Sequence, residues 1–311
     1  MKLLLTGAGG QLGHVLEQRL QHLGEIVAPR RSSLDLSDAD AIRDTVTAVQ
    51  PDLIINAAAY TAVDKAETDA VAAYAINAIA PALLAQQAQR LAIPIIHFST
   101  DYVFPGTGSM PYREDDLPQP RNVYGMSKLA GEHAIAAYCE RYWILRTSWV
   151  YGAHGGNFLK TIMRLAQERE TLNVIDDQIG APTSTNTIAD ALCGMLAGSE
   201  RQSVAQQVGN SSGLYHLTAA GATSWHHYAQ TIVKLMGALK IPLRLQDGVI
   251  AAIPTSAYPT PAARPRNSRL CLDKLQDTFS IVLPQWQDAL SDCIEELTGQ
   301  RLPPGYSTAG Q

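Results

Sequence analysis

Lys2-Leu3-Leu4-Leu5-Thr6-Gly7-Ala8-Gly9-Gly10-Gln11-Leu12-Gly13 opens the chain, and its reading decides the fold class. Lys2 to Leu5 read as a short buried strand. The glycines that follow allow a tight turn, and Leu12, Val15, Leu16, Leu20 and Leu23 then recur at helical spacing on one apolar face. A strand, a glycine turn and a helix in this order form a ready anion site. Glycine lets the backbone approach a pyrophosphate, and the helix N-terminus offers free N–H groups and a positive dipole end. The spacing Gly7-x-x-Gly10-x-x-Gly13 departs from the usual G-x-G-x-x-G. Its place directly after an apolar strand points to a dinucleotide, against the plainer reading of a tight strand–helix turn.

The alternation continues outward from this turn. Glu25 to Ala28 read as a second strand, Ser37 to Val49 as a helix with Ser37 as N-cap, and Leu53 to Asn56 as a third strand. A helix over about 70–91 precedes a fourth strand, Ile95 to Phe98, which ends at Ser99-Thr100-Asp101. Short buried strands alternating with helices predict an α/β fold, a doubly wound parallel sheet covered on both faces. Right-handed crossovers then bring Gly7 to Gly13, Asn56 to Thr61, Ser99 to Phe104 and Thr147 to Gly152 to one sheet edge, where ligands bind.

Beyond Gly152 the pattern is less regular. Helices are expected over 157–169, 187–197, 224–239 (Ser224 as cap) and 284–297. Extended segments are expected over 171–175 and 213–217. Residues 254–269 read as a loop, and the tail after Arg301 as mobile. The division that follows is a dinucleotide-binding domain over 1–150, with about 185–198 and 213–240 packing back on it. Residues 151–311 form a smaller, partly interleaved substrate-binding region.

The 311 residues suffice for one large domain or two ordinary ones, with 46% apolar and 17% charged residues. A net charge of −5, with Arg30-Arg31 as the sole adjacent basic pair, argues against a nucleic-acid surface. The N-terminal apolar run is too short for a signal peptide. The apolar region 71–96 contains Asn77, Pro81, Gln86, Gln87 and Arg90 and reads as a buried helix and strand rather than a membrane span. Cys139, Cys193, Cys271 and Cys293 are far apart, without metal-ligand spacing, and read as core thiols of a reducing, cytoplasmic setting.

Tyr124-Gly125-Met126-Ser127-Lys128 carries the chemistry. Four residues apart on a helix, Tyr124 and Lys128 share a face. An ammonium beside a phenol favours the phenolate, so Tyr124 is expected to have a lowered pKa and to donate a proton to a developing alkoxide. Lys128 can also hold a ribose. Thr100, ending the fourth strand, can bind the substrate oxygen. At the end of the second strand, where an acid would bind ribose hydroxyls, the chain has Pro29-Arg30-Arg31. A guanidinium suits a 2′-phosphate, which predicts NADPH over NADH, with NADH possible.

Taken in order, the segments 5–13, 56–67, 99–104, 124–132, 146–151 and 264–268 resemble the extended short-chain dehydrogenase/reductase family across nearly the whole chain. The resemblance implies a Rossmann-type fold and reduction of the C4 ketone of a dTDP-linked 4-dehydro sugar. It implies Tyr124 as proton donor, assisted by Lys128 and Thr100. Gly7, Gly10, Gln11, Leu12 and Gly13 would hold the pyrophosphate, Asp35 and Leu36 would meet adenine, and Ala59, Tyr60 and Thr61 would flank the cofactor. Thr100, Asp101, Trp149, Arg264 and Asn267 would contact the sugar nucleotide. Some relatives join as dimers through a metal held by glutamates. Here the first helix reads His14-Val15-Leu16-Glu17 and the later segment Thr185-Asn186-Thr187, so no metal is expected, and a monomer and a homodimer both stay open. A dehydratase or epimerase of the same fold is an alternative. Dehydratases place Asp-Glu after the Thr, where this chain has Thr100-Asp101-Tyr102. A non-catalytic regulatory subunit is the third reading.

Overall fold

The computed structural model describes residues 1–197, 203–245 and 249–303. The first half runs β1 (Lys2–Thr6), α1 (Gln11–Arg19), β2 (Glu25–Val27), α2 (Ala39–Val49), β3 (Leu53–Asn56), α3 (Val63–Ala66), α4 (Ala70–Tyr74), α5 (Ala80–Arg90), β4 (Ile95–Thr100), α6 (Val123–Tyr138) and β5 (Tyr142–Thr147). The second half runs β6 (Val150–Tyr151), α7 (Phe158–Glu168), β7 (Leu172–Ile175), β8 (Ile179–Gly180), β9 (Thr183–Ser184), α8 (Thr185–Leu196), α9 (Val204–Asn210), β10 (Gly213–His216), β11 (Thr223–Ser224), α10 (Trp225–Ala238), β12 (Ile250–Ile253), α11 (Asp273–Phe279) and α12 (Trp286–Thr298).

Six parallel strands form the central sheet in the order β10-β5-β4-β3-β1-β2. Side chains of successive strand residues point to opposite faces. Leu3 and Leu5 therefore enter one core with Leu16, Leu20, Ile188 and Leu192, while Leu4 enters the other with Ile42, Val46, Leu84 and Ile135. This two-sided burial is why the strands are continuous apolar runs rather than alternating ones. The chain leaves β1 first toward β2 and then returns past it to β3. The switch point thus lies between β1 and β3, with Thr6 paired to Asn56 at its rim.

Helix α8 packs on α1, and β10 extends the sheet next to β5. Of the stretch 213–240, only β10 joins the sheet. Helix α10 lies in a third core with Tyr151, Leu159, Ile162, Val174 and Trp286, contributed by β6, α7, β7 and α12. The tail expected to be mobile falls, from residue 304, outside the described residues.

Two local features differ from the sequence expectations. The N-cap of α2 is Asp38, whose carboxylate accepts from the N–H groups of Asp40 and Ala41. Ser37 is drawn away instead, donating from both N and Oγ to Asp35 Oδ1. The expected helix over 70–91 carries a π-turn at Ala75–Ile79, where Asn77 meets Gly131 of α6. A Cβ on Gly131 would sit 2.1 Å from the Asn77 carbonyl oxygen. The segment Ala70–Arg90 is long and apolar enough to cross a membrane by length and composition. In the fold it packs its buried Ala80, Leu84, Ala85 and Ala88 against the sheet and α2.

Candidate active site

The glycine turn sits at the switch point. Gly7 has φ +78°, and a Cβ there would lie 2.5 Å from the Ala58 nitrogen, so only glycine fits between the ends of β1 and β3. A Cβ on Gly13 would lie 2.1 Å from the Gly7 carbonyl oxygen. Gly13 is thus a packing residue that lets α1 close on the turn, and it does not line the cleft. Gly10 caps α1 without any side-chain acceptor, which leaves the first-turn N–H groups turned to an incoming anion.

A cleft of about 870 Å³ runs along the sheet edge from this turn. Gly7, Gly10, Gln11, Leu12, Arg30, Asp35, Leu36, Ala59, Tyr60, Thr61, Tyr124 and Lys128 all line it. The turn's exposed N–H groups, its tight glycine backbone and the length of the cleft fit a dinucleotide. The wall also includes Arg31, Ser99 and Thr147, from segments expected at this edge, and the pair Gly155-Gly156, which sequence reasoning missed although it is visible as a second glycine cluster following Tyr151-Gly152. At the far end Arg30 is engaged by Glu17 of α1, with Nη2 donating to both carboxylate oxygens at 2.8 and 3.2 Å.

Tyr124 enters the cleft from the first turn of α6. Asn122 fixes that turn, its Oδ1 accepting from the Gly125 N–H at 2.8 Å. The Tyr102 ring meets Tyr124 edge-on at 5.6 Å. Burial pushes the Tyr124 phenol up to about 12, with the Thr100 hydroxyl opposing. The expected lowering by Lys128 is therefore not found. The reason is where the lysine nitrogen goes: Lys128 is 1% exposed, and Nζ turns inward to the Phe98 carbonyl at 2.6 Å and His97 Nε2 at 3.1 Å. A neutral phenol is the form that can give a proton.

Thr100 and Asp101 are buried beside Tyr124, with Thr100 Oγ1 donating to Asp101 Oδ1 at 3.2 Å. Burial raises the Asp101 carboxyl to about 7, with the Thr100 hydrogen bond opposing. Its unfolded value is about 4, so the neutral carboxyl favours folding. That contribution is complete below about pH 4 and is lost as pH rises through about 7. Asp101→Asn cannot ionise and is expected to gain stability over the parent as pH rises across that window, by a few kcal/mol at most. Urea unfolding at several pH values checks this, and parallel pH dependences of the two proteins would contradict it.

Thr100 and Asp101 do not themselves line the cleft, and the remaining expected sugar contacts also lie outside its lining. Trp149, at φ +47°, stacks on Trp225 with centroids 3.6 Å apart. Arg264 Nη2 donates to Asp64 Oδ2 at 2.8 Å. Asn267 Nδ2 donates to the Met110 carbonyl at 2.7 Å, and its Oδ1 accepts from Arg269 Nε at 2.8 Å. Both atoms of the Asn267 amide are used to fasten the 264–269 loop. Beneath the site Glu132 of α6 and Arg146 of β5 form a fully buried two-pronged pair at 2.9 and 2.7 Å. Among the described residues no group of three or more His, Cys, Asp and Glu side chains is placed to hold a metal ion, and all four cysteines are free thiols.

An anion-binding turn and a Tyr–Lys pair that open on one cleft, at the switch point of a parallel sheet, define an NAD(P)H-dependent oxidoreductase of the extended short-chain dehydrogenase/reductase class. The comparisons narrow the class. The family model described as RmlD substrate binding domain matches residues 1–299. The chain is 45% identical over 301 residues to the dTDP-4-dehydrorhamnose reductase of Escherichia coli (strain K12), covering 96% of this chain and 98% of that protein. It is likewise 45% identical over 300 residues to that of Burkholderia thailandensis, covering 96% and 100%. A solved dTDP-4-dehydrorhamnose reductase from Bacillus anthracis, in complex with NADP, superimposes with a TM-score of 0.84 at 33% identity, over 95% of this chain and 99% of that one. The chain belongs to this family, the dTDP-4-dehydrorhamnose reductases.

Proposed function

We propose that this protein reduces the C4 ketone of dTDP-4-dehydro-L-rhamnose to give dTDP-L-rhamnose in the cytoplasm, with NADPH as preferred reductant and Tyr124 as proton donor. The observation that carries the reading is that Tyr124 and Lys128 line the same cleft as the Gly7–Leu12 turn. When bound, the dinucleotide supplies a hydride. The residues of this chain do the rest. The N–H groups of the α1 first turn and the tight Gly7 backbone hold the pyrophosphate. Thr100 Oγ1 and the Tyr124 hydroxyl converge on the carbonyl oxygen. As negative charge develops on that oxygen, Tyr124 gives up its proton, and the phenolate recovers one from solvent. The walls of β4 and α6 keep the phenol desolvated and neutral until then. Thr100, Asp101, Trp149 and Arg264 face the sugar nucleotide, with Trp149 leaving Trp225 and Arg264 exchanging Asp64 for a phosphate. Asn267 holds their loop in place.

The test is stoichiometry. With dTDP-4-dehydro-L-rhamnose, one NADPH is expected to be oxidised per product formed, followed by dihydronicotinamide absorbance and chromatography of the sugar nucleotide. Turnover of the sugar without net NADPH loss would identify a dehydratase or epimerase instead. A stoichiometric enzyme partner with no NADPH oxidation would identify a regulatory subunit.

Cofactor preference rests on Arg30. Its charge-assisted hydrogen bonds are worth about 1.5–3 kcal/mol when they can be made to a 2′-phosphate. Arg30→Asp is therefore expected to lower the NADPH-to-NADH ratio of kcat/KM by about 10- to 100-fold. Steady-state kinetics with both cofactors reads this directly, and an unchanged ratio would remove Arg30 from the 2′-phosphate site.

A further inference from the structure

His97 is a fully buried, ionisable side chain among the apolar residues Ile95, Ile96 and Phe98 of β4, and the reaction as described does not use it. Its surroundings fix which of its nitrogens carries hydrogen. The backbone N–H of Ala58 donates to Asn56 Oδ1 at 3.2 Å, and Thr6 Oγ1 donates to the same oxygen at 2.7 Å. A backbone N–H can only donate, so the Asn56 amide cannot be flipped, and its Nδ2 is the atom facing His97 Nδ1 at 3.0 Å. His97 Nδ1 must then accept. A neutral imidazole that accepts at Nδ1 carries its hydrogen on Nε2. That Nε2–H points at Lys128 Nζ, 3.1 Å away.

An ammonium has three donors and no acceptor, so a charged Lys128 would set donor against donor inside a sealed core. Only one arrangement satisfies every atom. Lys128 is a neutral amine, it accepts from His97 Nε2–H, and it donates to the Phe98 carbonyl at 2.6 Å. We propose that His97 is a positioning residue for this active site: locked by Asn56 as the Nε2–H tautomer, it holds Lys128 as a free amine in the cofactor-free protein, so that the lysine becomes charged only when its Nζ turns from the His97 donor to an acceptor. The proposal rests on the Tyr124–Lys128 reading of the site.

The surroundings of Lys128 pull in both directions: desolvation lowers it to about 8, toward the free amine, and Glu132 on the same helix favours the charged form. Glu132 is itself tied to Arg146 of β5. Desolvation also pushes His97 well below its ordinary value, as does a charge on Lys128. Strand β3, packed on β4, brings Asn56 and no ionisable side chain. The other ionisable groups nearby are Tyr124 on α6 and Asp101 at the end of β4.

Asn56→Asp tests the idea with an almost isosteric change. A carboxylate can accept from Thr6 and Ala58 and also from His97, so the imidazole is expected to switch to Nδ1–H and present an acceptor to a Lys128 ammonium. In the cofactor-free wild type, nitrogen NMR should show Nε2–H on His97. Carbon NMR of labelled lysine should show Lys128 titrating well below the ordinary value of about 10.4. In Asn56→Asp the tautomer should reverse, and the Lys128 midpoint should rise by at least about one pH unit. The alkaline limb of the kcat profile should move in the same direction. An Nδ1–H tautomer or an ordinary Lys128 titration in the wild type would overturn the proposal, even if the variant did not fold. Because the spectra need no turnover, they stand apart from whether the chain reduces the proposed sugar.

Discussion

Tyr124→Phe is expected to lower kcat by about 10²- to 10⁴-fold, the usual share of a positioned general acid, with little change in cofactor affinity. The substitution removes one oxygen from a ring whose position is set by other contacts. Asn122 caps the first turn of α6, and Tyr102 supports the ring edge-on at 5.6 Å. The glycine turn and the Arg30 end of the cleft lie away from the change, so dinucleotide binding should persist. What is lost is the proton. Burial holds the phenol neutral to about 12, which makes Tyr124 a reservoir of one proton next to Thr100 at neutral pH. Without it, the developing alkoxide must be protonated by water, a weaker and unpositioned acid. Rapid-mixing and steady-state kinetics with NADPH, together with fluorescence titration of NADPH, check both halves. A variant retaining full turnover would show that the proton comes from elsewhere, and a variant that no longer binds NADPH would show that the ring is structural.

The second large effect concerns stability. Glu132→Ala is expected to destabilise the protein by about 3–5 kcal/mol, because it leaves the Arg146 guanidinium buried without a counter-charge. Both side chains are 3% exposed, and they meet through two hydrogen bonds between α6 and β5. The guanidinium has little else to turn to. Its Nη1 makes no hydrogen bond, and its carbon stands 4.9 Å from the centre of the Phe104 ring. A paired replacement, Glu132→Met with Arg146→Met, removes both charges and should recover most of the loss, since buried ion pairs exchanged for apolar side chains of similar volume are often neutral. Denaturant unfolding of Glu132→Met, Arg146→Met and the paired variant gives the coupling, and a paired loss equal to the sum of the two single losses would mean that the charges act independently. The pair also anchors the helix carrying Tyr124 and Lys128, so the single variant should lose activity more steeply with temperature than the paired one.

The main lines of the fold were readable because the physics is local and repeated. Three leucines between Lys2 and Thr6 suit a strand buried on both faces, and Leu12, Val15 and Leu16 mark the helix that follows. The four loops expected at one sheet edge follow from the handedness of crossovers, which needs only the order of elements. What stayed hidden depends on tertiary neighbours. Ser37 and Asp38 are both good caps, and only the Asp35 carboxylate, by engaging Ser37, decides between them. The π-turn at Ala75–Ile79 forms against Gly131, some fifty residues away in the chain. Helix α10 was placed with the sheet because its pattern shows an apolar face and not which core receives it.

The site shows the same division. That Tyr124 and Lys128 share a helix face was legible from their spacing, but the depth of Lys128 was not. Its nitrogen turns inward to Phe98 and His97, and burial, rather than the lysine, sets the phenol. His97 itself stood out only as a lone polar residue in Ile95-Ile96-His97-Phe98, a pattern that any satisfied core histidine would produce. Likewise Arg264 and Asn267 were recognisable by type, while their internal partners, Asp64, Met110 and Arg269, come from distant or folded-back segments.

The most direct measurement of the central claim is isotope transfer in a single turnover. With NADPH deuterated at both C4 positions and dTDP-4-dehydro-L-rhamnose, mass spectrometry should find one deuterium on C4 of the sugar for each NADP formed. A sugar product that carries no deuterium, or deuterium appearing without net formation of NADP, would contradict direct hydride delivery to a ketone beside Tyr124.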